Sequence, residues 1–529
     1  MKKNKIIFIT PYIGKYPWYF PYFLKTAAYN PDVDFKILSD ADIPLSVKPD
    51  NVELIPYSLE QFNKDATKAL SFNINVEKGY KLCDFKPAYG YIFHDYVKDY
   101  DFWGYCDIDI IFGNIRSFMT EELLSEYDVI SARHDYLTGC FALYRNNQEM
   151  RELFKQSKDY QKVFTQPGNF FFDETNFAFD EFAEGLHYSQ IHTEIESMTH
   201  VVRRLQEEKK VRAYFEFQIV EGFAGNMLWD KGTLIYRGEY EAMLYHLVRF
   251  KRKYSMETDI NDIVPDRFRI GKRKIYLKEH DKSATTLSFC ITCKNRMWQI
   301  KQTLPQNLKD NASMKGKVDF ILVDFGSTDG LKKWVVENFK QEIEEDYLKF
   351  YYTDELEYWH ASIAKNTAHA LSESDIVVNL DCDNFTGEDG GKFVLDNMLE
   401  YGIENVIMHQ LSGIAWDGSN GRIALSKEVF MNLGGYDESF EPMGFQDCDL
   451  LLRASTDGAI YLHLEDRRYN KTIRNDRSDS IKYTGSSISW EEMDRRNRLL
   501  SERNQEEGNI IANKGKQSIG ISKNIYRVR

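Results

Sequence analysis

Residues 377–385 read VVNLDCDNF, an apolar run suited to a buried strand that ends in two carboxylates, Asp381 and Asp383, flanking Cys382. In an extended strand residues i and i+2 point the same way, so the two acids converge on one side while Cys382 faces the other. Two carboxylates that close repel each other, and one tends to keep a proton. A divalent cation removes the conflict. An all-oxygen donor set favours Mg²⁺ or Mn²⁺, ions that keep waters and also grip substrate phosphates. Solvated turns use the same Asp-x-Asp spacing, so the pair gains meaning only from its context, the carboxyl end of a strand in an open α/β sheet, where ligands bind. Upstream, residues 102–110 read FWGYCDIDI and repeat the device at Asp107 and Asp109.

At 529 residues the chain exceeds what one core organises, and two domains are expected. Its composition, with 33 Tyr and 35 Phe among evenly mixed charges, is that of a soluble globular protein rather than a disordered one. The 68 basic and 82 acidic residues leave a net charge of -14, which argues against nucleic acid as a partner. The start, MKKNKIIFITPYIG, has basic residues but an apolar run broken by Thr10 and Pro11, so it reads as a first β-strand and not a signal peptide. No stretch approaches the roughly 20 apolar residues that span a bilayer. The expectation is a cytoplasmic protein, with peripheral contact at the inner face of the membrane left open. Of seven cysteines only Cys290 and Cys293 form a CxxC, without a second pair at zinc spacing, so reduced thiols are expected.

Strand-like runs at Ile6–Thr10, Phe35–Ser39 and Val52–Pro56, separated by helix and turn material, announce an α/β domain with a largely parallel sheet. Runs at Asp101–Tyr105, Val129–Ala132 and Phe141–Tyr144 extend it. From Tyr160 to about Val248 the chain is aromatic and less regular, as an acceptor-binding half would be. Residues 249–282 are dense in charge and poor in periodicity and read as a junction, with docking on anionic lipid as the alternative. A second α/β domain opens with TLSFCITCKNR and continues through DFILVDFGSTDG to the Asp-x-Asp strand. Near the end, SWEE is a capping box with Ser489 as N-cap. No repeat of 20–50 residues is visible, although the halves share a strand-then-DxD plan. The domains expected are residues 1–250, a linker at 251–283, a second domain at 284–485 and a helical tail at 486–529.

An aspartate ending an earlier strand, Asp324 in LVDFGSTDG, and the Lys365–Asn366 pair opening a helix before VVNLDCDNF complete an order that resembles the GT-A glycosyltransferases of family 2. The resemblance implies a Rossmann-like nucleotide-diphospho-sugar transferase fold. It assigns Thr292, Asn295, Arg296, Asp324, Ser327, Asp329, Lys365 and Asn366 to the nucleotide-sugar and Asp381 and Asp383 to the metal. Family members show two adjacent acids after the second strand, where this chain has Asp324 followed by Phe325. A further segment, GGYDESFEPMGFQDCD, is similar to the acceptor side of β-1,4-galactosyltransferases and chondroitin-polymerase-like enzymes. Met443 and Gln446 replace the usual Trp and first acid. The likeness implies Asp437 and Glu438 on the acceptor side and Asp447 as catalytic base of an inverting transfer, taking the acceptor hydroxyl proton. A late histidine completes many such metal sites, and His463 stands at a suitable distance; a structural role is the alternative.

The first half, through KIIFITPYIGKYPWYFPYFLKTAAYNPDVDFKILSD, CDFKPAYG and DFWGYCDIDI, resembles glycosyltransferase-like proteins of bacterial capsule and lipopolysaccharide clusters. There the resemblance implies Thr10, Pro11, Tyr12, Asp40 and Lys86 near the nucleotide. Asp107, Asp109 and His246 would be on the metal, and Asp173 and Glu174 on the acceptor side. The whole is expected as two GT-A domains in tandem, each with Mn²⁺ or Mg²⁺ and a nucleotide-sugar of the UDP series, building a bacterial surface polysaccharide on a glycan or lipid-linked acceptor. The alternatives are a single active C-terminal domain with an N-terminal binding module, and a nucleotidyltransferase. The last lacks a convincing Gly-rich phosphate loop in either half.

Overall fold

The computed structural model describes residues 3–41, 48–216, 218–255, 263–272, 274–277, 283–414, 417–474, 479 and 481–528. The chain forms two compact units, Met1–Leu277 and Lys278–Arg529, each mixed α/β with more than one sheet.

In the first unit the strands begin with β1 (Ile6–Tyr12), β2 (Val33–Ser39), β3 (Val52–Pro56), β4 (Phe102–Cys106) and β5 (Ile110–Phe112). β6 (Val129–Ser131), β7 (Phe141–Arg145) and β8 (Ala213–Phe215) follow, and the main sheet has the order β3-β2-β1-β4-β7-β6-β8. β1 to β4 pair in parallel, whereas β7 runs antiparallel between β4 and β6. Ile6 to Ile9 are all buried because both faces of the sheet are covered. Phe8 packs with Phe35 and Phe141 on one side, and Ile7 and Ile9 meet the cluster of Phe85 and Trp103 on the other.

The unit is completed by β9 (Ile219–Glu221), β10 (Met227–Asp230), β11 (Thr233–Tyr236), β12 (Tyr240–Glu241), β13 (Leu244–His246), β14 (Arg267–Ile270) and β15 (Ile275–Tyr276). β5 leaves the main sheet to join the ribbon β5-β13-β9, while β12-β11-β10-β14-β15 forms a third sheet. The stretch expected as linker therefore contributes strands to the first unit. Its charges hide a period-2 pattern in which Phe268 and Ile270 are buried, with Phe268 stacked on Trp229 at 4.9 Å.

The second unit contains β16 (Leu287–Cys293), β17 (Val318–Asp324), β18 (Leu348–Tyr352), β19 (Ile376–Asn379) and β20 (Asn384–Phe385). β21 (Val406–Leu411), β22 (Ile423–Ser426), β23 (Ile460–Glu465), β24 (Lys471–Thr472) and β25 (Tyr526–Val528) follow. Its main sheet runs β23-β21-β22-β19-β16-β17-β18-β25. Apart from the edge strand β25, order and direction repeat the first unit: parallel strands 3-2-1-4, an antiparallel strand, then two more that are parallel to each other. The ribbon β20-β24 stands where β5-β13 stands.

The tail expected beyond residue 485 is built into this unit. β25 pairs with β18, and Asn497, on the helix Trp490–Glu506, donates to the carbonyls of Glu441, Met443 and Gly444. Ser489 caps that helix by accepting from the Glu492 N–H, as the capping box predicts. All seven cysteines are free thiols. Among the described residues no helix is long and apolar enough to cross a membrane.

Candidate functional site

In the first unit the chain leaves β4 at Cys106, turns through Asp107-Ile108-Asp109, and enters β5. β13 lies antiparallel to β5 with His246 opposite Ile110, and the Leu247 N–H closes on the Asp109 carbonyl at 2.9 Å. That register brings His246 Nε2 to 3.4 Å from Asp109 Oδ2, and ligand atoms of Asp107, Asp109 and His246 lie within 4.8 Å of one another. The other ring nitrogen, Nδ1, is 2.8 Å from Oε1 of Glu221, its neighbour on β9. Glu221 is itself held by Arg133. A carboxylate on one imidazole nitrogen fixes the ring and presents the other to a metal, so these residues fit a divalent cation. Cys140, Glu221 and His246 make a second, overlapping group on the Nδ1 side. Burial opposes charge on both His246 and Asp109. Even so, Cys140 and Asp109 push the imidazole well above its ordinary value, and His246 and Lys251 hold the Asp109 carboxyl below its own.

Lys86 sits in the centre of this site. Its Nζ lies 2.7 Å from Asp107 Oδ1, 2.7 Å from the Gly139 carbonyl and 3.6 Å from Asp173 Oδ2. Asp173 is buried, and its Oδ1 makes no hydrogen bond. Burial raises its carboxyl well above the usual range, against the pull of Lys86. Glu174 differs: its Oε1 accepts from the Gly139 N–H at 2.8 Å, which commits it to holding the loop. Thr10 Oγ1 donates to the Cys106 carbonyl at 2.9 Å, tying the end of β1 to the DxD strand. Pro11 and Tyr12 finish β1, with Tyr12 stacked on Tyr16, and Asp40 accepts from the Gly14 N–H at 2.7 Å.

In the second unit Asp381, Cys382 and Asp383 follow β19 and lie on a cavity of about 880 Å³, together with Thr292, Arg296, Lys365 and Asp447. Lys365, on the buried helix Ala361–Ala370, places Nζ 2.7 Å from Asp447 Oδ1 and 3.8 Å from Asp381 Oδ1. Asp447 opens the helix Gln446–Asp457 after Phe445, whose φ of 61° turns the chain into the site. Burial lifts the Asp447 carboxyl and Lys365 opposes it, with burial dominant. Burial, reinforced by Asp381, raises Asp383 to about 7, and burial lowers the Arg422 guanidinium to about 10.

Other residues expected here take different places. Asp324 is buried and accepts from the Ser327 N–H at 2.9 Å. Ser327 in turn accepts from Asn295, and Asp329 accepts from the Met297 N–H at 2.8 Å. These four residues shape the loops behind the cavity. Asn366 clamps Tyr436 and Glu438, Glu438 also accepts from Gly520, and Asp437 accepts from Ser439. Asn366 and Glu438 thus brace the segment after the Gly-Gly turn, and Asp437 caps the turn at Ser439. His463 does not join Asp381 and Asp383. It extends from β23 to Tyr461 and Glu465 of its own strand, and no group of three potential ligands among the described residues contains it.

Sequence reasoning missed Lys251, whose Nζ is 2.6 Å from Asp109, and the pair Glu221 and Cys140 around His246. It also missed Trp359, Tyr483 and Trp490 on the cavity wall. Only their register or tertiary position marks them. The two sites correspond point by point. Asp107 and Asp109 match Asp381 and Asp383, each pair following the fourth strand, and a buried lysine, Lys86 or Lys365, contacts the first acid. The same lysine reaches a carboxylate between β7 and β8 or between β22 and β23, Asp173 or Asp447. A glycine two residues before β7 or β22, Gly139 or Gly421, lies against an acid of its own site, Asp173 in the first and Asp381 in the second, so closely that a Cβ would clash with it.

A family model described as a family of unknown function (DUF6625) matches residues 8–279. No curated protein matches the chain. Among solved structures, the mannosyltransferase PcManGT from Pyrobaculum calidifontis in complex with GDP-Man and Mn2+ is 16% identical, with a TM-score of 0.29, over 35% of this chain and 57% of that one. S. aureus TarS 1-349 in complex with UDP-GlcNAc is 15% identical, TM-score 0.32, over 41% and 66%. The catalytic domain of Drosophila beta1,4galactosyltransferase 7 in complex with xylobiose is 11% identical, TM-score 0.28, over 40% and 80%.

Proposed function

The chain belongs to the family of unknown function (DUF6625), whose model covers residues 8–279, and from its paired carboxylate sites we propose a metal-dependent glycosyltransferase with a nucleotide-sugar site in each unit. The observation that carries this reading is the recurrence, at the carboxyl end of the same sheet topology, of one set: a DxD pair, a buried lysine, a close glycine and a second aspartate. Structural ion pairs recur singly; a fourfold correspondence on two sheets marks a site. The complete Asp107, Asp109 and His246 set favours catalysis in the first unit over a mere binding role.

A cation held by Asp107, Asp109 and His246, or by Asp381 and Asp383, would neutralise the donor diphosphate and the charge it gains on leaving. Lys86 and Lys365 contact the first acid of each pair and orient it. Asp447 accepts the acceptor hydroxyl proton as that oxygen attacks the anomeric carbon from the face opposite the nucleotide, which gives inversion. Trp359 and Trp490 offer rings for a sugar to lie against. By the resemblance of its motifs, the donors are UDP-sugars and the acceptor is a glycan or lipid-linked oligosaccharide of a bacterial surface polysaccharide, met at the inner face of the membrane.

The test is to supply the full chain and Mn²⁺ with a panel of UDP- and GDP-sugars and to follow sugar release and transfer. Replacing Asp107 and Asp109 by Asn should remove one activity, and replacing Asp381 and Asp383 another. A chain that consumes none of the donors, or keeps every activity in both double variants, would refute the reading.

A further inference from the structure

The two sites differ at the position that faces the second acid across the ribbon, and the registers identify it. In the first unit His246 pairs with Ile110, the residue after Asp109, and the next N–H, of Leu247, bonds the Asp109 carbonyl. In the second unit Thr472 pairs with Asn384, the residue after Asp383, and the next N–H, of Ile473, bonds the Asp383 carbonyl at 2.8 Å. Thr472 therefore occupies the place of His246. Its hydroxyl is turned away, donating to the Asp417 carbonyl at 2.5 Å. A threonine hydroxyl held in this way supplies no nitrogen donor, and His463 does not make good the loss.

From this difference, and resting on the two-site reading above, we propose that the chain takes up its two divalent cations unequally. The first unit binds one on its own through Asp107, Asp109 and His246. The second unit, where Asp381 and Asp383 are the acids at the strand end among the described residues and no histidine stands opposite them, binds one only together with a nucleoside diphosphate whose oxygens complete the coordination. His246 on the ribbon adds an already oriented nitrogen donor to the Asp107 and Asp109 carboxylates of the turn before β5. Both acid pairs have cations beside them, Lys86 and Lys251 in the first unit and Lys365 and Arg422 in the second, so the difference lies in the missing nitrogen donor, which the oxygens and negative charge of the diphosphate replace. The contact of buried His246 with half-buried Glu221 supports the asymmetry, since the ring is already oriented before any ion arrives. No bond is made or broken in this uptake.

The experiment counts Mn²⁺ bound to the full chain by equilibrium dialysis and by the loss of the free-ion electron paramagnetic resonance signal, with and without UDP. One ion per chain is expected without UDP and two with it. His246→Gln should weaken the nucleotide-free ion by more than ~10-fold and leave the UDP-dependent one in place. Asp383→Asn should do the reverse. Thr472→His, which installs the missing donor, should bring the second ion in without UDP. Two ions bound equally well in the absence of UDP, or a single ion lost in Asp383→Asn but kept in His246→Gln, would overturn the proposal. Binding of neither Mn²⁺ nor UDP under any condition would instead bring down the glycosyltransferase reading on which it rests.

Discussion

Lys365 Nζ lies 2.7 Å from Asp447 Oδ1 and within ion-pair reach of Asp381, so one buried ammonium serves both the metal-side acid and the proposed base. Its protonated form is stabilised, against its own burial, by Asp447 and Asp381. Removing it strands two carboxylates in a poorly solvated wall. Lys365→Met should cost the second unit about 3 kcal/mol, read as a lower urea midpoint. It should also abolish turnover at that site. Lys365→Arg keeps the charge but brings a larger planar head, and should recover stability better than activity. An unchanged midpoint in Lys365→Met would show that the pair carries no buried charge.

The matching lysine contact extends the base assignment to the first unit. Asp447→Asn and Asp173→Asn are each expected to lower sugar transfer at their own site by ~10²–10⁴-fold while UDP and Mn²⁺ binding stay within about twofold. Glu174→Gln is the internal contrast, because Glu174 holds the Gly139 N–H and not a reacting proton. It should disturb affinity more than the rate of the bound complex. Nuclear magnetic resonance of the products should show inverted anomeric configuration at both sites. Retention at the first would exclude Asp173 as base.

The sheets and the two carboxylate pairs were legible because period-2 apolar runs and strand-end acids are local signals. His246 was also reachable, as a late histidine near a domain end. His463 obeyed the same rule and misled, because ligand position depends on ribbon register, which sequence spacing does not encode. In β24 the decisive residue, Thr472, carries no mark of its own. The linker reading failed at Phe268 and Ile270, whose burial is hidden between arginines. For Asp437, Glu438 and Asn366 the motif states which residues cluster, whereas their hydrogen bonds, such as the one from Asn366 across 70 positions to the Tyr436 carbonyl, depend on tertiary placement that the motif does not encode.

The close glycines permit a direct probe of geometry. A Cβ on Gly139 would come within 2.5 Å of Asp173 Oδ2, and one on Gly421 would strike Asp381 Oδ2. Neither residue has a positive φ, so the penalty of alanine is contact and not backbone strain. Gly421→Ala should push the Asp381 carboxylate aside and weaken UDP–Mn²⁺ binding at the second site. Gly139→Ala should chiefly lower the transfer rate at the first. The measurement is calorimetric titration beside single-turnover transfer. Equal losses of binding in both variants would argue that the glycines serve packing alone.

His369 lies on the same helix as Lys365, one turn behind it, and links the site to acid stability. Its Nδ1–H donates to the Lys365 carbonyl at 2.7 Å, and its ring stacks on Phe430. Its Nε2 is buried without a hydrogen-bond partner. Burial, aided by the neighbouring positive charges of Lys427 and Lys365, lowers its pKa from 6.5 to about 3. Below pH 6.5 the unfolded chain therefore binds a proton that the folded one refuses, and stability falls as the pH drops toward 3. The slope from this group approaches about 1.4 kcal/mol per pH unit. His369→Phe keeps the stacking and removes the titration. It should lower the stability read from the urea midpoint near neutrality by about 1 kcal/mol for the lost Nδ1–H bond while flattening its decline between pH 6 and 4. An equally steep decline in that variant would assign acid sensitivity to other groups and show that His369 does not couple the Lys365 helix to pH.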